Sequence, residues 1–288
     1  MKKLIINADD FGLSTGANRA VIRAWQEGIL TSASLMVGGR ACEEAISLAR
    51  ENPGLQVGLH LTLVQGRAVL PQEEIPGLTD SEGNLPMDPV GAGMRFFFSG
   101  SLKRELYREI EAQILRFREA GLPLSHIDGH LNIHMHPTVF DILAELMPKH
   151  GITSFRLTRE DLARDPADHR QRRMGRMLDA FIFGRLAKRC RPVLDRLGMY
   201  YSNEVKGLLN SGRMTEEYLL KVLERLQEGV TEIYFHPGCT PDPELAAWMP
   251  DYRHGEELAA LTSARVRDMI ADRGILLGNY RGEEKRDA

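Results

Sequence analysis

Six of the nine histidines in the chain fall where catalysis could use them. His60 lies near the end of LQVGLHL, His126, His130, His134 and His136 crowd into HIDGHLNIHMHP, and His236 follows EIYF. Asp9 and Asp10 end the apolar run KLIIN in the same way. Taken singly, each has an ordinary explanation: an Asp-Asp before Phe-Gly can open a helix, a histidine between leucines can be a satisfied core side chain, and His-Pro-Gly can be a turn. Taken jointly, with four imidazoles and Asp128 inside eleven residues, they point to a metal site. Neutral imidazole and carboxylate donors suit zinc or a similar first-row divalent ion, and a catalytic site needs three protein ligands with an open position for water. The candidate ligands are one aspartate of the 9/10 pair, His60 and one histidine of the 126–136 cluster. Adjacent residues on a regular strand point to opposite sides. For both aspartates to face one site the chain must leave strand geometry there, which Gly12 makes easier. The second aspartate would then be a general base, and His236, arriving from a distant segment, a general acid. Metal, base and acid together suit hydrolysis of an amide or ester. His150, His169 and His254 lie in polar helix ends or loops and are expected to face solvent.

Positioning these groups requires a particular scaffold. Lys3–Asn7, Thr31–Val37, Leu55–Leu61, Ser125–Gly129, Thr153–Leu157, Glu232–Phe235 and Ile275–Leu277 read as buried strands. Helical patterns separate them: one behind the cap Ser14 with Ala17, Ala20, Val21 and Trp25 on a stripe, then Glu43–Arg50, Leu102–Ala120, Val139–Met147, Met214–Glu228 and Glu256–Arg273. Pro148 is expected to stop the fourth of these, Val139–Met147. This alternation predicts an α/β fold, an irregular (β/α) barrel of seven or eight parallel strands, with an open doubly wound sheet as competitor. The region 62–100, with several prolines and glycines and no clean period, reads as a long functional loop or an inserted subdomain. In parallel α/β folds ligands gather at the carboxyl ends of strands, where the acids and imidazoles cluster here.

Bulk composition narrows the class further. With 37 basic and 40 acidic side chains the net charge is −3 in 288 residues, so nothing overall attracts nucleic acid. Three cysteines are too few and scattered for a disulfide framework or a Cys-rich zinc site. No stretch of about 20 apolar residues suggests a membrane span, and MKKLIINADDFG does not read as a signal peptide, so a cytoplasmic enzyme is expected. One segment departs from the average. Arg170–Leu197 carries nine Lys or Arg against Asp179 and Asp195, with Met174, Met177, Leu178, Phe181, Ile182 and Leu186 at helical spacing. Three roles stay open for it: a solvated basic barrel helix, a homodimer contact, or peripheral docking at the inner face of an anionic membrane. Phe96-Phe97-Phe98 is similarly open between core and lipid groove.

Ala8-Asp9-Asp10-Phe11-Gly12, His60 in GLHLTL, His126-Ile127-Asp128-Gly129-His130 and His236-Pro237-Gly238, in that order, resemble the YdjC-like carbohydrate deacetylase family over most of the chain. LVQGRAVLP and GMRFFF resemble its hopanoid-biosynthesis-associated branch. The resemblance implies a single barrel domain over residues 1–281, with the 62–100 insertion and the basic segment 165–198, followed by a frayed tail at 282–288. It implies metal-dependent removal of acetyl from an N-acetylated amino sugar, in that branch an N-acetylglucosaminyl hopanoid glycolipid. Soluble N-acetylglucosamine oligosaccharides, or a different barrel hydrolase such as a phosphoesterase, are the alternatives. Carried over by motif, Asp10, His60 and His130 would hold one divalent ion, zinc first and magnesium or another first-row ion otherwise. Asp9 would be the base and His236 the acid. Arg156, at the end of TSFRL, would orient Asp9 and keep it ionised. His126, Asp128, His134 and His136 would support these groups or touch substrate.

Overall fold

A computed structural model describes residues 1–166 and 173–283. His169, Arg170, Arg172 and the tail 284–288 lie outside the described residues. The first strand, β1 (Lys2–Phe11), sits at the centre of a seven-stranded sheet. Its Leu4, Ile6 and Ala8 join the main apolar core. Asn7 and Asp9, on the alternate face as strand geometry requires, turn into the sheet's concave interior. Helix α1 (Thr15–Glu27) begins where Ser14 accepts the Ala17 N–H, and buries Ala17, Ala20, Val21 and Ala24 on one stripe, with Trp25 partly buried. There follow β2 (Ser32–Leu35), α2 (Cys42–Glu51) and β3 (Gln56–Leu61). Next come α3 (Pro89–Phe98), α4 (Leu102–Glu119), β4 (Leu124–Gly129), α5 (Pro137–Lys149) and α6 (Arg173–Arg196). The last third comprises β5 (Glu204–Lys206), α7 (Glu216–Glu224), β6 (Gly229–Phe235), α8 (Pro243–Trp248), α9 (His254–Leu261), α10 (Ala264–Asp272) and β7 (Leu276–Gly278).

The strands run in the order β4-β3-β2-β1-β6-β5, with β7 also paired to β1, and every strand pairing is parallel. Single bridges, Ile127 to Phe155 and Ser154 to Tyr200, carry the curve on from β4 toward the chain that enters β5. The fold is thus an irregular barrel of parallel strands. No helix among the described residues is long and apolar enough to cross a membrane.

Four elements differ from expectation, each for a local reason. The stretch 153–157 pairs only through those isolated bridges and forms no continuous strand. Pro148 does not stop α5, which runs to Lys149, because a proline near the last turn forfeits few hydrogen bonds and the fully buried Leu146 and Met147 hold the turn in place. The expected helix 256–273 breaks at Thr262-Ser263, where the Ser263 hydroxyl caps α10 by accepting the Val266 N–H. The 62–100 insertion contains α3, opened by Asp88 as cap and Pro89 at its first position. It is pinned to α4 by Glu109, which accepts the Val69 and Leu70 N–H groups, and by Gln113, which bonds both backbone groups of Thr62.

Candidate active site

The site forms where β1, β3, β4 and β6 end. The β1–β2 register shifts between Ala8 and Phe11, and Asp10 takes a left-handed conformation, φ 62°. Gly12 follows at φ 93°. This departure from strand geometry brings the two adjacent carboxylates toward one site, as the Asp-Asp pair required.

Arg156 is the hub beneath them. It is fully buried and donates a bidentate pair to Asp9, 2.7 Å to each oxygen, while Nη2 also lies 2.8 Å from Asp128 and Nε bonds Glu232. Its guanidinium stacks 4.5 Å from the Tyr234 ring centre. Burial works against its charge, but Asp128, Asp9 and Glu232 raise its pKa well above the ordinary value. Asp9 is thus fixed in orientation, with a further hydrogen bond from Asn7 Nδ2 at 2.8 Å. Burial raises the Glu232 carboxyl in spite of Arg156. Asp128 would be raised by burial too, but Arg156 and His60 hold it well below the carboxylate range.

His60 and Asp128 are register partners across β3 and β4, and His60 Nδ1 lies 2.8 Å from Asp128 Oδ1. The Ser34 hydroxyl donates to the other Asp128 oxygen at 2.6 Å. With Nδ1 so anchored, His60 presents Nε2 to Asp10 Oδ1 at 3.3 Å, and His130 Nδ1 approaches the same oxygen at 3.0 Å. The donor atoms of Asp10, His60 and His130 all lie within 4.8 Å of one another. Asp10 Oδ2 is buried without a partner. Burial disfavours charge on His60, yet Asp128, Asp9 and Asp10 raise its pKa to about 10, so the surrounding carboxylates favour positive charge at this point. Two nitrogens and one carboxylate, an orphaned oxygen and a carboxylate-anchored imidazole fit a divalent first-row cation. A second grouping, Asp9, His60 and Asp128, also converges. It is the poorer cation site, because Arg156 already neutralises both of its carboxylates.

Asp9, His130 and His236 line one cleft of about 190 Å³, whose far walls come from Phe183 on α6, Tyr252 and Leu131. His236 is half-buried with Nδ1 unpaired, and its backbone N–H is held by Glu257. Burial lowers its pKa, partly offset by the charges of Asp10 and Asp9. Burial likewise lifts Glu257 to about 7, against the hydrogen bonds from Met214 and His236.

Of the remaining histidines, His150 and His254 differ from expectation, both being buried and not solvent-facing. His126 is fully buried, stacked 3.7 Å on Tyr280, and His134 is fully buried with Nε2 donating to Arg156 O, so both lie inside the protein. Burial lowers His134 to about 4. His136 donates to Gly93 O and ties α5 to α3. His254 does not face solvent: it is buried, and its Nδ1 donates to His236 O. His150 is also buried, against Glu111. Ser34, Glu232, Tyr234, Glu257 and Tyr280 were missed from sequence. One signal could have found three of them: polar side chains at every second position of apolar strands, such as Asn7/Asp9, Ser32/Ser34 and Glu232/Tyr234/His236.

Residues 3–272 match the profile of YdjC-like proteins. The chain belongs to the YdjC-like family. Among curated YdjC-like relatives it is 32% identical to a carbohydrate deacetylase of Brevibacillus brevis over 279 residues, covering 96% of this chain and 98% of that protein. It is 30% identical to a carbohydrate deacetylase of Geobacillus stearothermophilus over 278 residues, covering 96% of each. Among solved structures, a candidate cellobiose-phosphate cleavage protein of Enterococcus faecalis V583 superposes on this YdjC-like chain with a TM-score of 0.75 and 28% identity, over 97% of this chain and 98% of that one.

Proposed function

We propose that this protein is a metal-dependent carbohydrate N-deacetylase, hydrolysing the acetamide of an N-acetylated amino sugar to acetate and a free amine. The observation that carries the reading is the convergence of Asp10, His60 and His130 within 4.8 Å beside an Asp9 clamped by Arg156, in a cleft shared with His236. The full-length similarity to carbohydrate deacetylases supports the same class.

Asp10, His60 and His130 would hold the cation, which when bound polarises a carbonyl and acidifies water. Asp128 keeps His60 in the tautomer whose Nε2 faces the site. Asp9 accepts a proton from the attacking water, and its fixed orientation removes the cost of organising it in the transition state. His236, on the cleft wall, delivers a proton to the departing amine nitrogen. The C–N bond breaks as the new C–O bond is completed, so one water is consumed per acetate released.

For the substrate we propose an N-acetylglucosaminyl hopanoid glycolipid, on the likeness of LVQGRAVLP and GMRFFF to that branch of the family. A phosphoesterase would use two metals about 3.5–4 Å apart. A second ion here would have to displace Arg156 from Asp9 and Asp128, which disfavours that reading. The test is acetate release from a panel of N-acetylglucosamine conjugates, soluble and lipid-linked, with and without a chelator. Chelator-sensitive acetate release supports the proposal, and turnover of phosphate esters with no acetate from any conjugate sinks it.

A further inference from the structure

Of the large hydrophobic side chains exposed among the described residues, most fall on two helices, α3 and α6. On α6, Met174, Met177, Leu178, Phe181 and Ile182 stand out to solvent, Met174 by 85% and Phe181 by 66%. Their spacing is that of one helical stripe. On α3 the exposed stripe is Val90, Met94, Phe97 and Phe98, the last exposed by 72%. The first half of α6 is inverted relative to an ordinary barrel helix: its Arg176 is buried and paired with Asp165, while its apolar stripe faces water. The helices share a side of the molecule. Both pack on α5, where the Phe97 ring meets His136 edge-on and Arg189 of α6 bonds Asp141. Asp179 and Phe183 of α6 line the cleft itself, and so does Leu131, which is 42% exposed.

We infer that this face docks on an anionic lipid bilayer, with α6 lying in the headgroup plane and the cleft opening onto the surface. Charge decides the occupant. α6 carries seven basic residues against two acidic ones in sequence; Arg176 is spent on Asp165 and Arg189 on Asp141, and Arg185 and Lys188 are exposed about one to two turns beyond the apolar stripe. That combination suits anionic headgroups above an acyl boundary. A second copy of the chain on the same face would bring the same basic turns of both copies to one interface. The inference rests on the deacetylase reading for its substrate class: an amino sugar anchored in the bilayer could enter the cleft without leaving the surface.

The experiment is flotation of the full chain with vesicles of phosphatidylcholine alone and of phosphatidylcholine with phosphatidylglycerol, at low and high salt. It uses the wild type, Leu178→Ser with Phe181→Ser, and Arg185→Glu with Lys188→Glu, with thermal melts confirming that each variant folds. Binding to the anionic vesicles alone is expected, weakened by salt. The apolar variant should bind at least about tenfold more weakly. The charge variant, which replaces each cation by an anion, should lose at least about fivefold per position. Both variants should keep wild-type turnover of a soluble N-acetylglucosamine oligomer. Absence of vesicle binding, binding by both variants as tight as the wild type's, or a wild-type dimer that the apolar variant abolishes would overturn the docking surface. Failure of the wild type to release acetate from any substrate would instead strike the deacetylase reading, since flotation is read without turnover.

Discussion

At the scale of single residues, Asp9 and Asp10 are neighbours in sequence with opposite electrostatic company. Asp9 is clamped by a guanidinium and Asn7 with one lone pair left on Oδ2, whereas Asp10 has two imidazoles and one bare oxygen. Asp9→Asn should therefore lower kcat by about 10²–10⁴-fold with metal content, read by elemental analysis, unchanged. A variant that keeps its turnover while metal-replete would remove Asp9 from the role of base. His130→Ala should lose both metal and activity, and a stoichiometric ion in that variant would move the ligand elsewhere. Asp128→Asn leaves the three ligands in place but loosens His60, so metal affinity should fall about 10–100-fold, measured by competition with a chromophoric chelator. Sequence made the acids and imidazoles legible because they interrupt apolar runs at strand ends. Glu232 and Ser34 were signalled only by the alternation of polar side chains along their strands, which tells that they share a face and not what they touch there.

At the scale of elements, what aims these residues is the alternation of the strands. Gly58 shows how tightly the inner layer is filled: a Cβ there would lie 2.4 Å from the His126 ring, which is itself stacked on Tyr280. Neither ring has space to yield. Gly58→Ala should cost about 1–3 kcal/mol, seen as a lowered melting temperature, while Gly83→Ala, whose Cβ would meet nothing, reports only the price of its positive φ. Equal melting temperatures for Gly58→Ala and wild type would show that the layer is looser than the distances imply. Long periodic helices such as α1 and α4 were legible because burial repeats along them many times. β5 was not, since three residues, Glu-Val-Lys, are too short for any period to register. α3 was masked by Gly91 and Gly93, which break the helical pattern although Asp88 and Pro89 start the helix correctly.

At the scale of the whole molecule, buried titratable groups set the pH range of the fold. His134 has a folded pKa of about 4 against 6.5 when unfolded, so between those values the unfolded chain binds the extra proton. Its stabilisation is complete above pH 6.5 and fades as pH falls toward 4, about 3 kcal/mol in all. Glu257 has the opposite sign: its pKa of about 7 makes the folded state lose stability as pH rises from 4.5 to 7. His134→Gln, which can still donate to Arg156 O, should therefore flatten the fall in melting temperature between pH 6.5 and 4. An unchanged acid limb would exclude His134 as its source. The parallel barrel itself was legible in outline from the order of strand and helix patterns, but the irregular passage through 153–157 was not, because it depends on single bridges that leave no repeat in sequence.

The pairing of β1 has a kinetic consequence. The strand that carries both aspartates is flanked by β2 on one side, but its other partners are residues 229–235 and 276–278. Tyr280, just beyond the last of these, supplies the ring that covers His126 and the carbonyl that accepts from Ser154. A chain emerging from the ribosome has therefore made Asp9 and Asp10 long before the segments that brace them exist. The edge of β1 that runs up to Ala8 beside the acidic pair is therefore closed only after residues 229–235 have been made. That edge joins segments more than two hundred residues apart in sequence, so its pairing carries the entropy of closing that loop.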